Sequence, residues 1–256
     1  MSKNSALVRR PSQKLAEGLV THIERSTVDL RTAIQQWHAY VAAFADAGWT
    51  IVEAPPADSC PDGVFIEDAV VIHGDVAVIT RPGHLDRRSE TDGLDSVMGS
   101  LGFEVESIRS PGTLDGGDVL KVGRTVFVGR GVRTNDAGID QLRSILGDRV
   151  DAVVPVPVER VLHLKSAVTA LPDGTVIGWG PAVDDTSHYS SFIDVPEETG
   201  AHVVVLDEDT VLMAADAPRT HELVEARGYR VVTVDIGEFA KLEGCVTCLS
   251  VRMRGR

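Results

Sequence analysis

The chain repeats itself. Five short segments recur along it, each an apolar strand behind a polar or small opening residue. They are Phe65-Ile-Glu-Asp68-Ala-Val-Val, Asp115-Gly-Gly-Asp118-Val-Leu-Lys, His163-Leu-Lys-Ser166-Ala-Val-Thr, Leu206-Asp-Glu-Asp209-Thr-Val-Leu and Cys245-Val-Thr-Cys248-Leu-Ser-Val. Their openings lie 50, 48, 43 and 39 residues apart, and periods of roughly 20 to 50 residues mark repeat architectures whose units bury their faces against one another. Aligned, the first position holds Phe65, Asp115, His163, Leu206 and Cys245, and the fourth holds Asp68, Asp118, Ser166, Asp209 and Cys248. Carboxylates, a histidine and a cysteine at equivalent strand starts can meet around one axis.

Each unit reads strand, strand, helix, strand. Leu30, Ile34, Trp37, Val41 and Phe44 mark one helical face before Gly48, and Ile139, Leu142, Ile145 and Leu146 mark another before Gly147. Leu94, Val97, Met98 and Leu101 precede Gly102 in the same way, and Leu223 and Val224 precede Gly228. Ser26 or Thr27, Ser89, Thr134 and Thr220 are the capping candidates for these helices. The fourth unit has a short, poorly periodic helix within residues 185–192. The first lacks a strand, which residues 246–253 can supply by lying beside residues 5–9; closure of that kind removes two exposed sheet edges. The expectation is one α/β domain over residues 1–256, five ββαβ modules about a pseudo-fivefold axis, sealed by the two terminal strands.

Composition narrows the partners. A net charge of −13 argues against nucleic acid and anionic membranes, which require a cationic face, and suits a small cationic substrate. No apolar run approaches the ~18 residues of a membrane span, and the basic residues near the start lack an apolar signal-peptide core behind them. A cytoplasmic location is expected. Three cysteines point to free thiols rather than a disulfide framework. Cys245 and Cys248 form a Cys-x-x-Cys pair, but the pattern places them inside a final strand, not at the strand-to-helix turn of a redox pair. A structural zinc site would need further ligands of suitable spacing. No metal or cofactor is expected.

Within this register Cys248 is the candidate nucleophile. His163 is the candidate acid and base, and Asp115 the carboxylate that fixes its tautomer. Asp68 and Glu67 are candidates for holding a guanidinium, through parallel charge-assisted hydrogen bonds. Arg87 and Arg133, after second strands, are candidates for a substrate carboxylate.

Together, Phe65-Ile-Glu-Asp68, Thr113-Leu-Asp-Gly-Gly-Asp118, Arg133-Thr-Asn135, His163-Leu-Lys165 and Gly244-Cys-Val-Thr-Cys248 resemble the guanidine-modifying enzyme superfamily. Over nearly its whole length the chain resembles the dimethylarginine dimethylaminohydrolase family within it. The resemblance implies a five-bladed α/β propeller of the pentein type. It implies hydrolysis of Nω-methylated L-arginine to L-citrulline and a methylamine through a covalent thiouronium on Cys248, without metal or cofactor. His163 and Asp115 then complete the catalytic triad, Asp68 with Glu67 holds the guanidinium, and Arg87 and Arg133 clamp the carboxylate. Asp62, Leu19 and the backbone of Leu242 match the groups around the substrate's amino end, and Leu19 opens a segment resembling a mobile lid. Ser166, behind Lys165, joins the substrate-binding set where deiminases and amidinotransferases carry a His-x-Asp carboxylate. Two departures stand out: Gly63 follows Asp62 in place of the frequent Ser or Thr, and Cys245 is an extra thiol able to form a disulfide with Cys248. The implied assembly is a monomer or a homodimer. An arginine deiminase-like hydrolase and a non-catalytic propeller are the competing readings.

Overall fold

The structure is a computed structural model that describes residues 4–255. Its first module runs β1 (Ser5–Val8), α1 (Leu30–Asp46) and β2 (Thr50–Glu53). The second runs β3 (Val70–His73), β4 (Val76–Ile79), α2 (Leu94–Ser100) and β5 (Glu104–Ser107), and the third β6 (Val119–Val122), β7 (Thr125–Arg130), α3 (Asp136–Leu146) and β8 (Ala152–Pro157). The fourth has β9 (Val168–Ala170), β10 (Val176–Gly178) and β11 (Phe192–Asp194), with a 3-10 turn at Thr186–His188 in place of an α-helix. The fifth has β12 (Val203–Val205), β13 (Thr210–Ala214), α4 (Pro218–Glu225) and β14 (Arg230–Val234), after which α5 (Gly237–Ala240) leads to β15 (Val251–Met253).

Five three-stranded sheets result, each with one antiparallel and one parallel pair. This is the five-bladed α/β propeller. The first sheet takes its third strand from the far end of the chain: β15 runs antiparallel to β1, with Leu7 opposite Val251. Helix α1 forms because Ala33, Trp37, Tyr40 and Phe44 recur at helical spacing and bury one face. It also holds the end of the chain, since the Tyr40 hydroxyl donates to the Val246 carbonyl at 2.7 Å and lies 2.8 Å from Ser250 Oγ. Among the described residues no helix is long and apolar enough to cross a membrane.

The repeat is real but its register needs correcting at two places. At four openings the amide of the fourth residue donates to the carbonyl of the first: Asp68 to Phe65, Asp118 to Asp115, Ser166 to His163 and Cys248 to Cys245. The fifth such turn is Ala201 to Glu198 at 3.1 Å, ahead of β12. Leu206–Asp209 is instead the turn between β12 and β13, where Leu206 N–H donates to the Thr210 carbonyl. Asp and Glu before a β-rich run look alike in both settings. The final strand is also shorter than the pattern indicates, so Cys245 and Cys248 sit in a turn ahead of β15 rather than within it.

The helix caps differ as well. Asp29 caps α1, accepting from Arg31 and Thr32 N–H, and Asn135 caps α3. No side chain caps α2 or α4. Thr134 is free for another purpose, described below.

Two glycines of equal helical cost have opposite roles. A Cβ at Gly138 in α3 would lie 2.0 Å from the Thr113 carbonyl oxygen, whereas at exposed Gly99 in α2 it would meet nothing within 4 Å. Gly138→Ala is expected to cost about 1–3 kcal/mol by overpacking. Gly99→Ala is expected to gain about 0.4–1 kcal/mol by restricting the unfolded chain. Urea denaturation of the two variants checks both signs.

Candidate active site

The inward turns bring the chemistry together. Cys248, His163 and Asp68 line one narrow cavity, and Asp62, Arg87 and Arg133 line it too. Leu19 and Leu242 complete its wall beside Phe65 and Glu243. Cys248 is fixed across the ring closure, because its carbonyl accepts from Glu67 N–H at 3.1 Å.

His163 Nε2 lies 3.0 Å from Asp115 Oδ2 and 3.9 Å from Asp68 Oδ1. Asp115 is wholly buried, lies behind the imidazole, and accepts from Gly83 N–H at 2.8 Å. Burial opposes the imidazolium, but Asp68, Asp115 and Asp118 outweigh it and lift His163 to about 9. At neutral pH the ring is therefore a protonated donor. Its other nitrogen faces Gly117, where a Cβ would come within 2.8 Å of Nδ1 and 2.7 Å of Asp68 Oδ1. Only glycine permits that approach. Gly117 N–H in turn donates to Asp68 Oδ1 at 2.8 Å.

Asp68 is buried without losing its charge. Burial pushes its carboxyl up, yet His163, Arg87 and the Gly117 N–H hold it well below the ordinary value. Arg87 donates to Asp68 Oδ2 at 2.6 Å and grips Glu90 with Nε and Nη2 at 2.9 and 2.7 Å. Burial opposes the Arg87 charge too, but Glu90 and Asp68 keep it firmly protonated. Arg133 lies 3.4 Å from Asp115 Oδ2. Asp62, raised by burial, accepts Leu19 N–H at 3.1 Å to both oxygens.

Two expected substrate contacts point elsewhere. Glu67 follows the opposite side of its turn: Oε1 takes Lys165 at 2.6 Å and also Arg252, away from the cavity. Ser166 lines a separate cavity of about 520 Å³, and its carbonyl accepts from His202 Nε2 at 2.9 Å. Neither belongs to the site that holds Cys248. Both corrections have one cause: within a 3-10 turn, neighbouring side chains diverge, so one residue of offset changes the cavity.

Other residues join the site that were not among the functional candidates named from the sequence. Asp118, lifted to about 6 mainly by burial, accepts Leu164 N–H at 3.0 Å next to His163. Thr134 donates to Asp118 at 2.6 Å and accepts Asp115 N–H at 3.1 Å, tying two carboxylates of one turn. Glu243, at a φ of +61°, holds Thr21 and His22 N–H at 2.9 and 2.5 Å and so straps down the segment beginning at Leu19. The repeat register could have flagged Asp118; Glu90, Thr134 and Glu243 carry no such signal.

Cys245 Sγ is 3.3 Å from Cys248 Sγ, and Cys245 N–H lies 3.4 Å from the Cys248 sulfur. The mutual hydrogen bond, followed by burial and the nearby Asp68 and Glu67, pushes the Cys248 thiol up. That bond, with His202 and Thr247 aiding against burial, lowers Cys245 to about 5. Of the two residues, Cys248 shares a cavity with Asp68, and Cys245 lines the other cavity. Asp68, Asp115 and His163 offer ligand-type atoms within 4.8 Å of one another. His163 Nε2 and Asp115 Oδ2 are already hydrogen-bonded to each other at 3.0 Å.

A buried thiol, a carboxylate-backed imidazole and a paired guanidinium acceptor on a five-bladed α/β propeller define a cysteine hydrolase of the guanidine-modifying class. The particular family follows from relatives. The chain is 59% identical over 254 residues to the N(G),N(G)-dimethylarginine dimethylaminohydrolase of Streptomyces coelicolor, covering 99% of this chain and 98% of that one. It is 35% identical over 251 residues to the Pseudomonas aeruginosa protein of the same name, covering 96% and 98%. A solved structure of that enzyme from Pseudomonas aeruginosa, a cysteine-to-serine mutant complexed with citrulline, superposes with a TM-score of 0.91 at 33% identity, covering 99% and 100%. No family model matches the sequence. The chain belongs to the dimethylarginine dimethylaminohydrolase family.

Removing Arg87 would leave Glu90 buried without its cation and Asp68 with His163 and the Gly117 N–H alone. Arg87→Met is expected to cost about 3–5 kcal/mol of folding stability, the usual loss when one partner of a buried ion pair is deleted. Chemical denaturation at neutral pH measures it, and a loss below 1 kcal/mol (about the worth of an exposed pair) would contradict the burial of this network.

Proposed function

We propose that the chain hydrolyses Nω-methylated L-arginine to L-citrulline and dimethylamine or methylamine, with Cys248 as nucleophile, His163 as acid and base, and Asp115 as its orienting carboxylate. One observation carries the reading: a single narrow cavity is lined by a thiol, an imidazole, the carboxylates Asp68 and Asp62 and the arginines Arg87 and Arg133. That lining complements a zwitterion with a cationic side chain. All five modules serve it as one catalytic domain, and the reduced thiols fit a cytoplasmic setting.

In this reading the incoming guanidinium displaces Arg87 from Asp68, a cation for a cation, and frees that edge of Arg87 to join Arg133 on the substrate carboxylate. Asp62 and the backbone of Leu19 and Leu242 meet the amino group. Asp68 keeps the guanidinium charged, which makes its carbon electrophilic. The cation also favours thiolate on Cys248, by about 1 kcal/mol at 4 Å in water and about 4 kcal/mol at a surface-like dielectric. The Cys248 thiolate adds to the guanidinium carbon. His163 gives its proton to the departing dimethylamine, leaving an S-linked thiouronium. The imidazole, now neutral, takes one proton from water as it attacks the same carbon. Collapse of the hydroxyl adduct expels the thiolate, and the hydroxyl proton passes to the released amine or to bulk water as the C=O of citrulline forms.

Methylated nitrogens are favoured over plain guanidine because the position two after His163 holds Lys165, committed to Glu67 at 2.6 Å. No second carboxylate from that position asks for the hydrogens that methyl groups replace. Citrulline and dimethylamine should therefore appear together from asymmetric dimethylarginine, with Cys248→Ser inactive. Faster turnover of unmodified arginine would overturn the assignment in favour of a deiminase.

The pH profile has a definite sign. His163 loses its proton near pH 9, so turnover that needs an imidazolium acid falls as pH rises through that value. Asp115→Asn should move this alkaline limb to lower pH and reduce kcat on the order of 10²-fold. Rate profiles of the two proteins, with the histidine ring followed by NMR, check the direction.

A further inference from the structure

The proposed reaction leaves one proton without a destination. His163 keeps its own proton up to about pH 9, so at neutral pH it cannot accept the proton of Cys248. Both hydrogen-bond contacts of the Cys248 sulfur come from Cys245: its N–H at 3.4 Å and its sulfur at 3.3 Å.

The two sulfurs differ in surroundings. Cys248 shares the substrate cavity with Asp68, which disfavours negative charge there until a cation arrives. Cys245 lines the separate cavity of about 520 Å³, and its sulfur is 3.2 Å from Thr247 Oγ1. The Thr247 hydroxyl is buried, and among the described residues the Cys245 sulfur is its one hydrogen-bond partner. A buried hydroxyl keeps its one partner, so the Thr247 hydroxyl can donate to the Cys245 sulfur when that sulfur is ionised, and the Cys248 thiol can do the same across 3.3 Å. His202 lines the same cavity, with Nε2 spent on the Ser166 carbonyl.

Further charges frame the pair. Asp68 stands on the Cys248 side, while Glu67, answered by Arg252 and Lys165, opposes negative charge on both sulfurs. Across the second cavity are Glu198, Asp216, Asp235 and Glu243, with His22 and Arg160 among them. In the repeat, Cys245 occupies the position that His163 and Asp115 hold in their own turns. An acid–base group at that place is what the fold supplies elsewhere.

We propose that Cys245 is a catalytic residue, the resident proton acceptor of the nucleophile, and that the arriving guanidinium draws the pair's negative charge onto Cys248. The S–H bond of Cys248 breaks and its electron pair stays on that sulfur as the attacking lone pair. The proton bonds to the Cys245 sulfur and returns when citrulline leaves. Nothing is oxidised or reduced. The proposal rests on Cys248 being the nucleophile of the reaction above.

The test compares the intact protein with Cys245→Ser and Cys245→Ala. Two readouts are used, the ultraviolet thiolate band titrated without substrate and the pH dependence of kcat/KM for asymmetric dimethylarginine. Cys60 is common to all three, so differences report the pair. The unsubstituted protein is expected to carry one thiolate at neutral pH, and both variants to lose it. Their kcat/KM should fall on the order of 10²-fold at neutral pH, and the deficit relative to the unsubstituted protein at the same pH should narrow as pH rises far enough to ionise Cys248 alone, with KM little changed. An unaltered thiolate titration and rate profile in the serine variant would overturn the proposal, as would an equal loss of activity at every pH. Should the alanine variant fold poorly, the near-isosteric serine variant decides. A protein with the shared thiolate but no turnover of methylarginine would count against the substrate reading alone.

Discussion

A negative charge kept inside the ring governs this molecule. Asp68 is almost fully buried, and an isolated carboxylate in that setting would take up a proton instead. It stays ionised because Arg87, His163 and the Gly117 N–H surround it. The surrounding groups bear the consequences. Asp68 is the largest influence lifting His163, it helps hold Arg87 charged, and it adds to the Cys245 contact, burial and Glu67 in opposing a thiolate on Cys248. A site poised in this way responds to a guanidinium and not to a neutral amide such as citrulline. Substrate and product are told apart by charge before any fit of shape.

The propeller suits that task because each blade delivers a tight turn to the axis. A 3-10 turn closed by an i to i+3 hydrogen bond fixes two side chains at once, the first and fourth. Five such turns therefore set ten positions without a long loop among them. The turns also bond to one another: Glu67 N–H to the Cys248 carbonyl, Gly117 N–H to Asp68 and Leu164 N–H to Asp118. Those links run around the ring, so pairing of β1 with β15 is felt at Cys248 through the turn that β15 follows.

Much of this is readable in the residues, for a physical reason. The four turns at Phe65, Asp115, His163 and Cys245 precede first strands whose β-branched runs stand out, so their register is plain. At the fifth, Glu198–Ala201 is Gly-containing and bland, while Leu206-Asp-Glu-Asp209 imitates an opening though it only joins β12 to β13. Periodicity sees strands, not which of two strands in a hairpin comes first. Caps fail for another reason: Asp29 lies two residues from Thr27 and Asn135 directly after Thr134, both equally plausible caps, and the buried carboxylate Asp118 recruits Thr134. Glu243 is invisible in the pattern because its partners, the backbone amides of Thr21 and His22, are brought to it only by tertiary structure. Glu90 pairs locally, three residues after Arg87 in one 3-10 helix, a spacing the strand register does not cover.

Glu67 and Asp68 show how far a single residue of offset reaches. They are adjacent in one turn, both buried and both flanked by cations, yet their countercharges belong to different compartments. Asp68 meets Arg87 and His163 within the substrate cavity; Glu67 meets Lys165 and Arg252 on its far side. An incoming guanidinium can exchange with Arg87 at the first carboxylate, because Glu90 remains to keep the displaced arginine paired. At the second no such exchange is open, since Lys165 and Arg252 both converge on Glu67 Oε1 and displacing either one leaves the other there. The ring thus holds one exchangeable carboxylate and one locked carboxylate side by side. In the proposed reaction, exchange at Asp68 admits the substrate, and the lock at Glu67 keeps the wall behind Cys248 in place while it does so.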